Sequence, residues 1–117
     1  MRNFKELEIW QKGFEIEVDT YRLIESFPAS ERFSLTQQVT RAAVSIPSNT
    51  AEGSSRTSEK DYKRFIEVAL GSSVELETQL LIAKAVNFGN TTKIDTALHK
   101  IDEEQKMLIA FANKLTH

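Results

Sequence analysis

Four basic side chains fall within nine residues near the middle of the chain. Lysine and arginine bind phosphate oxygens, arginine often through two parallel hydrogen bonds, and such contacts hold a nucleic-acid backbone without reading its bases. Glu59 and Asp61 interrupt the cluster, so a solvated charged surface is the alternative interpretation. The candidate nucleic-acid-binding residues are Arg56, Lys60, Lys63 and Arg64.

A second polar group lies just before this cluster. Spacings of four and seven bring its members together on the outer side of one helix. They could extend a phosphate-binding surface. Alternatively, Arg41 pairs with a carboxylate, such as Glu52 of a neighbouring subunit, which makes both of them candidate interface residues. The group consists of Arg41, Ser45, Ser48 and Glu52.

No arrangement of residues indicates catalysis. Asp95, His99 and Glu103 are spaced by four, and such a pattern can hold a metal. Two or three ligands on one exposed helix rarely make a strong site, however, and no convergent partner is evident. The serines lack a base partner, and the chain has no cysteine. We therefore predict no catalytic, cofactor-binding or metal-binding residues, no cofactor and no enzymatic activity.

Composition predicts one globular domain over residues 1–117. The chain is 40% apolar and 27% charged, with a net charge of −2. Six basic and three acidic residues fall between positions 32 and 64, so a local anion-binding surface is compatible with the mildly acidic total. The first ten residues lack the apolar run of a secretory signal, and no apolar run approaches a membrane span. We expect a cytoplasmic protein without membrane contact.

Hydrophobic periodicity predicts four helices and an all-α, antiparallel up-down-up-down bundle. The first runs from about Glu6 to Ser26 and stops before Pro28. The others begin near Ser34, Ser58 and Thr92, each at a sequence that resembles an N-terminal cap. Gly53 is the expected left-handed residue after the second helix, and Gly89 follows the third.

The predicted core stripes follow from the same periodicity. The first helix contributes Leu7, Trp10, Phe14, Val18 and Tyr21, and the second Leu35, Val39, Ala42 and Ile46. The third contributes Tyr62, Phe65, Ile66, Ala69, Leu76, Leu80 and Ala83. The fourth contributes Ile94, Ala97, Leu98, Ile101, Leu108, Ala112 and Leu115.

The first helix carries a second apolar stripe that cannot share this core. An ordered extra stripe suggests a second helix partner, so we expect a homo-oligomer. Gly71 lies opposite Tyr62 on the third helix, where it either admits another backbone or merely faces solvent. Besides Arg41 and Glu52, the candidate interface residues are Ile9, Ile16, Leu23, Phe27 and Gly71.

Pro47 lies inside the second helical pattern. A proline there removes a backbone donor and crowds the carbonyl four residues earlier, that of Ala43, at a cost of roughly 3 kcal/mol. We therefore predict a kink in the second helix at Pro47. The freed groups need a donor, and Asn49 is the leading candidate to supply it.

Several segments resemble a small bacterial family, the four-helix-bundle proteins encoded in 23S rRNA intervening sequences. The resemblance covers nearly the whole chain, and its most specific part is the motif at residues 41–53; Thr50 departs from it, because the family usually has an aliphatic residue there. The matching segments are Phe4–Lys12, Tyr21, Phe27-Pro28, Glu31-Arg32, Leu35–Gln38, Arg41–Asn49, Ala51–Gly53, Phe65, Ala69–Ser72 and Glu75-Leu76.

The resemblance implies a bundle that assembles into a ring, typically a pentamer, without enzymatic activity. A related, strongly basic group partners a reverse transcriptase and binds nucleic acid, but this chain is mildly acidic. Two function classes remain open. One is an oligomeric adaptor associated with RNA or a ribonucleoprotein. The other is a protein-only assembly or adaptor module that binds no nucleic acid.

Overall fold

A computed structural model describes residues 2–115. Short 3₁₀ turns, Phe4–Glu6 and Ala29–Glu31, lie on either side of the first helix. The helices are α1 (Glu8–Ile24), α2 (Leu35–Ser54), α3 (Glu59–Ala85) and α4 (Thr91–Lys114). The described chain contains no strand, so the prediction of an all-α four-helix bundle is confirmed.

The predicted caps have mixed outcomes. Ser58 caps α3 as expected, because its side chain accepts from the backbone N–H of Asp61 at 3.1 Å. The cap of α4 is Asn90 rather than Thr92; its side-chain oxygen accepts from the N–H of Lys93 at 3.0 Å. Ser34 occupies the cap position of α2 but donates to Glu31 Oε1 at 2.9 Å, so the predicted capping box does not form.

Each helix packs against its neighbours in the cycle α1, α2, α3, α4 and back to α1. One buried cluster joins the later part of α1 to the first half of α2, the later part of α3 and the beginning of α4. A second cluster joins Ile9 to the first half of α3 and the end of α4. In each cluster, the parts of neighbouring helices that pack together are those expected when the neighbours run antiparallel. Lys100 of α4 also pairs with Asp19 and Glu15 of α1.

The core face of α1 is the reverse of the predicted one. Ile9, Ile16, Leu23 and Phe27 are between 0% and 8% exposed and belong to the bundle core, so assigning them to a subunit interface was wrong. Phe14 and Tyr21, predicted to be core, are each 49% exposed. The physical reason is close packing: α1 approaches its neighbours along a line that includes Gly13, where a Cβ atom would lie 3.1 Å from Ile46 Cγ2.

The predicted core residues of the other three helices are largely confirmed. All are buried except Leu35, Phe65, Leu98 and Leu115, which are half-buried at the margin. Thr50 is fully buried, and its hydroxyl donates to the carbonyl of Ile46 at 3.0 Å. Its added polar group is therefore satisfied inside α2.

Gly53 does not end α2 in the left-handed conformation that we predicted. It lies within the helix, and its backbone is not among those with positive φ. A Cβ atom at this position would lie 2.9 Å from Phe65 Cβ and 3.1 Å from Tyr62 Cδ1. The glycine therefore serves close packing between α2 and α3.

Pro47 is buried within α2, and the helix continues through it. Asn49 donates its side-chain amide to the carbonyl and the hydroxyl of Ser45, both at 2.8 Å. It therefore satisfies a backbone acceptor in the proline turn, but that acceptor is Ser45 and not Ala43. The kink stays a prediction.

The turn between α3 and α4 is fastened to the end of α1. Gly89 has a φ of +82°, and a Cβ atom there would lie 2.7 Å from Phe27 Cε1. The N–H of Asn90 donates to Ser26 Oγ at 3.0 Å. Only a glycine fits both the backbone conformation and the space beside Phe27.

None of the helices that the structure describes has the length and apolar content needed to cross a membrane.

Candidate assembly faces and basic end

Aromatic side chains line the outward side of α1. The ring of Trp10 stacks on Phe14 at a centroid distance of 5.2 Å, and Phe4 packs edge-on against Trp10 at 5.4 Å. The α1 outer face is the set of Trp10, Phe14, Val18 and Tyr21. These side chains are half-buried or exposed in the isolated chain, so they form an apolar strip open to solvent.

A second apolar strip lies on α3. Its large side chains are each 45–49% exposed, and Gly71 lies among them with no atom within 4 Å of the place its Cβ would take. Gly71 thus faces away from the core, as predicted; close approach by another backbone stays a prediction. The α3 outer face is the set of Val68, Gly71, Val74, Leu81 and Ile82 with Val86, the residue that follows the helix.

The two outer faces lie on opposite flanks of the bundle. The helices α1 and α3 are diagonal partners, since α1 packs beside α2 and α4 and no Cα atom of α1 comes within 8 Å of α3 in the described chain. Each face is turned away from the shared core. One molecule therefore presents an aromatic strip on one side and an aliphatic strip that contains an exposed glycine on the other.

The basic cluster lies at the turn between α2 and α3. Arg56 pairs with Glu52 at 2.8 Å, and its guanidinium lies 4.7 Å from the ring centroid of Phe65. Arg64 covers the same ring at 4.8 Å and lies 3.9 Å from Asp61. Both guanidinium groups therefore lie against the ring of half-buried Phe65, and both arginines already have acidic neighbours.

The two lysines of the cluster differ from the arginines. Neither Lys60 nor Lys63 is among the cations that form ion pairs within residues 2–115. Lys60 is exposed and Lys63 is half-buried. Both lie on the first turns of α3, beside Arg64. These two lysines are therefore the cations of the predicted cluster most available to an external phosphate.

Arg2 joins this end of the bundle, although no spacing in the sequence links it to the cluster. Its guanidinium donates to the carbonyls of Ser54 and Arg56 at 3.1 and 3.0 Å. It also lies 4.7 Å from the ring centroid of Tyr62. Burial raises the pKa of the Tyr62 phenol, and the charge of Arg2 opposes that shift. We call Arg2, Arg56, Lys60, Lys63 and Arg64 the basic end.

The polar residues of the α2 motif divide between two sides. Ser45 turns towards α3, where its hydroxyl lies 2.7 Å from that of Ser72. Arg41, Ser48 and Glu52 are exposed. Glu52 pairs with Arg56 of its own chain, and pairing of Arg41 with a neighbouring subunit stays a prediction.

The acidic and histidine residues of α4 do not form a metal centre in the described part of the chain. Asp95 pairs with Lys84 at 2.7 Å, and Glu103 lies 3.5 Å from Lys12. His99 lies 3.9 Å from Glu103 on the exposed side of the helix.

A buried carboxyl group is the polar feature that the sequence analysis missed. Glu104 is fully buried, and neither carboxyl oxygen has a hydrogen-bond partner among residues 2–115. Burial raises its pKa to about 8, and the charge of Lys12 opposes the shift. Its position in the sequence indicated burial, because Glu104 lies three residues after Ile101 and four before Leu108, on the core stripe of α4.

These observations define the protein as a small four-helix bundle with two exposed apolar flanks and one basic end. A family model described as 23S rRNA-intervening sequence protein matches residues 5–110. The chain therefore belongs to the 23S rRNA-intervening sequence protein family, as its motifs predicted.

A solved structure supports the fold independently. It is the crystal structure of a protein of unknown function from the S23 ribosomal protein family of Bacteroides thetaiotaomicron. The two chains superpose with a TM-score of 0.80 at 20% identity, over 89% of this chain and 97% of the other. At that identity the similarity shows the fold alone. A comparison with curated proteins gave no significant match.

Proposed function

We propose that this protein is a non-enzymatic homo-oligomer that works as an adaptor for RNA or a ribonucleoprotein. Its subunits meet through the α1 outer face and the α3 outer face, and the basic end contacts phosphates. The observation that carries the proposal is the pair of exposed apolar strips on opposite flanks of one bundle.

Opposed faces favour a head-to-tail contact. When two different surfaces of the same molecule meet, copies add with a constant rotation, and the assembly closes into a ring when that rotation divides a full turn. We expect the Trp10–Phe14 stack of one copy to pack on the uncrowded surface at Gly71 of the next. The family resemblance supports a pentamer.

Assembly is tested by placing charge on the α1 outer face. Phe14→Glu with Tyr21→Glu should dissociate the oligomer, because a carboxylate in an apolar contact loses its hydration without a partner. Phe33→Glu is the matched control, since Phe33 is 80% exposed and belongs to neither face. Light scattering should give an oligomer mass for the wild type and the control and a monomer mass for the double variant. A wild-type monomer at micromolar concentration would refute the assembly.

The basic end gains from this assembly. A ring repeats it once per subunit, so weak phosphate contacts on one RNA add through effective concentration. Binding should depend little on sequence, because phosphate contacts carry no base information. Since the net charge of the chain is −2, binding would come from this local surface and not from the overall charge.

Nucleic-acid binding is tested with Lys60 and Lys63, the two lysines of the basic end, which form no ion pair within residues 2–115. The wild-type ring should retain single-stranded RNA at about 50 mM salt, where counterion release favours binding, and Lys60→Glu with Lys63→Glu should abolish this retention. Arg22→Glu with Lys93→Glu makes the same charge change on α1 and at the start of α4, away from the basic end, and should bind normally.

The alternative is an adaptor that binds only proteins. The internal pairing of Arg56 and Arg64 with acidic residues favours it, since those pairs already neutralise two cations of the basic end. An intact wild-type ring that retains neither RNA nor DNA at about 50 mM salt would select this alternative.

A further inference from the structure

Three residues that are unusual for a helical bundle meet at one place. A Cβ atom on Gly13 of α1 would lie 3.0 Å from Glu104 Oε2 of α4 and 3.4 Å from the backbone nitrogen of Pro47 in α2. The glycine thus leaves room for the carboxyl group of Glu104 close to the proline turn. No hydrogen-bond partner for either carboxyl oxygen occurs in the described chain.

The proline turn contains an acceptor without its usual donor. In an α-helix the carbonyl of Ala43 would accept from the N–H of residue 47, and proline has none. Ala43 is 1% exposed, so water has little access to this carbonyl. Asn49, the nearby side-chain donor, is already engaged with Ser45. A buried acceptor in this position is costly unless a donor reaches it.

We propose that Glu104 is held as the neutral carboxylic acid and donates its proton to the carbonyl oxygen of Ala43, fastening α4 to α2 across Gly13. A carboxylate cannot make this bond, because it has no proton to donate and would face the carbonyl oxygen as a second acceptor. The bond is therefore a proton-dependent latch between α4 and α2, and Gly13 of α1 leaves the space for it.

The charged surroundings support a neutral acid. On α1, Lys12 is the cation that acts on Glu104, but it lies 3.5 Å from Glu103 at the margin of the bundle. On α2, Arg41 and Glu52 are exposed. On α3, Glu77 accepts from Gln105, and the buried Tyr62 hydroxyl has no partner in the described chain. No cation of these elements, within the residues described, forms an ion pair with Glu104.

The latch predicts how stability changes with pH. The pKa of Glu104 is about 8 in the folded protein against an ordinary value of 4.5. Between these values the folded state keeps a proton that the unfolded state has released, so stability falls as pH rises. The folding constant of the wild type should fall about tenfold per pH unit across this window relative to Glu104→Gln. The amide keeps a donor and does not titrate.

A double-mutant cycle separates the latch from mere burial. Glu104→Leu removes the donor, and Pro47→Ala supplies an N–H to the carbonyl of Ala43. If the bond exists, Glu104→Leu should lower the folding constant at pH 6 at least tenfold more in the wild-type background than in the Pro47→Ala background. Equal effects in both backgrounds, measured by urea unfolding followed by circular dichroism, would overturn the proposal.

A measurement on the wild type covers the case in which Glu104→Leu fails to fold. With ¹³C in the alanine carbonyls and the glutamate carboxyl groups, the signal of Ala43 should move with pH together with that of Glu104, and it should stay fixed in Glu104→Gln. An Ala43 signal that stays constant while Glu104 titrates would also overturn the latch.

Discussion

The two sides of α1 are both apolar, yet they meet different surroundings. The inner side carries Ile9, Ile16 and Leu23 and is sealed in the core. The outer side carries the larger rings of Trp10, Phe14 and Tyr21 and is open to solvent. The difference shows that hydrophobic size does not decide which face of a helix is buried. The inner side fits because Gly13 and the aliphatic chains allow close approach, which large rings would prevent.

The largest effect on stability is expected when one side chain on each side of α1 is truncated to alanine. Ile16→Ala should lower the free energy of unfolding by about 2–5 kcal/mol, because a cavity remains in a close-packed core. Phe14→Ala should change it by less than about 1 kcal/mol in the monomer, since half of the ring is already in water. Urea unfolding at a concentration low enough to dissociate any oligomer measures both. Equal losses would mean that the outer side also belongs to the folding core.

A smaller effect is expected from adding a methyl group to each of two helical glycines. Gly13→Ala should destabilise the monomer by about 1–3 kcal/mol, because the new atom meets Glu104 Oε2 and Ile46 Cγ2 at 3.0 and 3.1 Å. Gly71→Ala meets nothing within 4 Å and should stabilise the monomer by up to about 1 kcal/mol through helix propensity.

The same glycine pair also tests the assembly. Thermal unfolding of the two variants measures the monomer effects, and light scattering measures the oligomer. Gly71→Ala should weaken association while it stabilises the subunit. Unchanged association would remove Gly71 from the subunit contact.

The smallest effect concerns the polar residue of the inner side. Thr20 is 1% exposed, and its hydroxyl donates to the carbonyl of Ile16 at 2.7 Å. Thr20→Val keeps the shape and removes a bond to a carbonyl that α1 itself can satisfy, so stability should change by no more than about 1 kcal/mol. A larger loss in urea unfolding would show that the inner side depends on this polar contact as well as on packing.

Much of the fold could be predicted from periodicity, but the orientation of α1 could not. A stripe of 3.6-residue period identifies a helix and its apolar faces. It does not say which face the rest of the chain covers when there are two. The inner side places Ile9, Gly13, Ile16, Thr20 and Leu23 at alternating spacings of four and three. Small residues in that register were the available signal for close packing.

Local hydrogen bonds limited the prediction of helix ends. The sequences that begin at Ser34 and Thr92 are suitable for capping. The hydroxyl of Ser34 instead donates to Glu31, and the cap of α4 is Asn90, two residues before Thr92. Such choices between neighbouring donors and acceptors depend on the backbone path of the preceding turn.

The candidate site could be predicted only in part. The basic residues from Arg56 to Arg64 were visible because they are close in sequence. Arg2 joins them through contacts with residues 54 and 56, a separation that no local pattern reports. Glu104 stands in a run of charged and polar residues that suggests a solvated surface. Only its register with Ile101 and Leu108 indicated burial.

The turn at Gly89 has a consequence for sequence divergence. Any other residue there meets two independent penalties, the left-handed backbone and the ring of Phe27. A change at position 89 alone is therefore selected against, and shrinking Phe27 first would relieve only one penalty. We expect position 89 to remain glycine in a saturation-mutagenesis library selected for folding, while Ser55 and Thr57, which are exposed in the turn between α2 and α3, accept many residues.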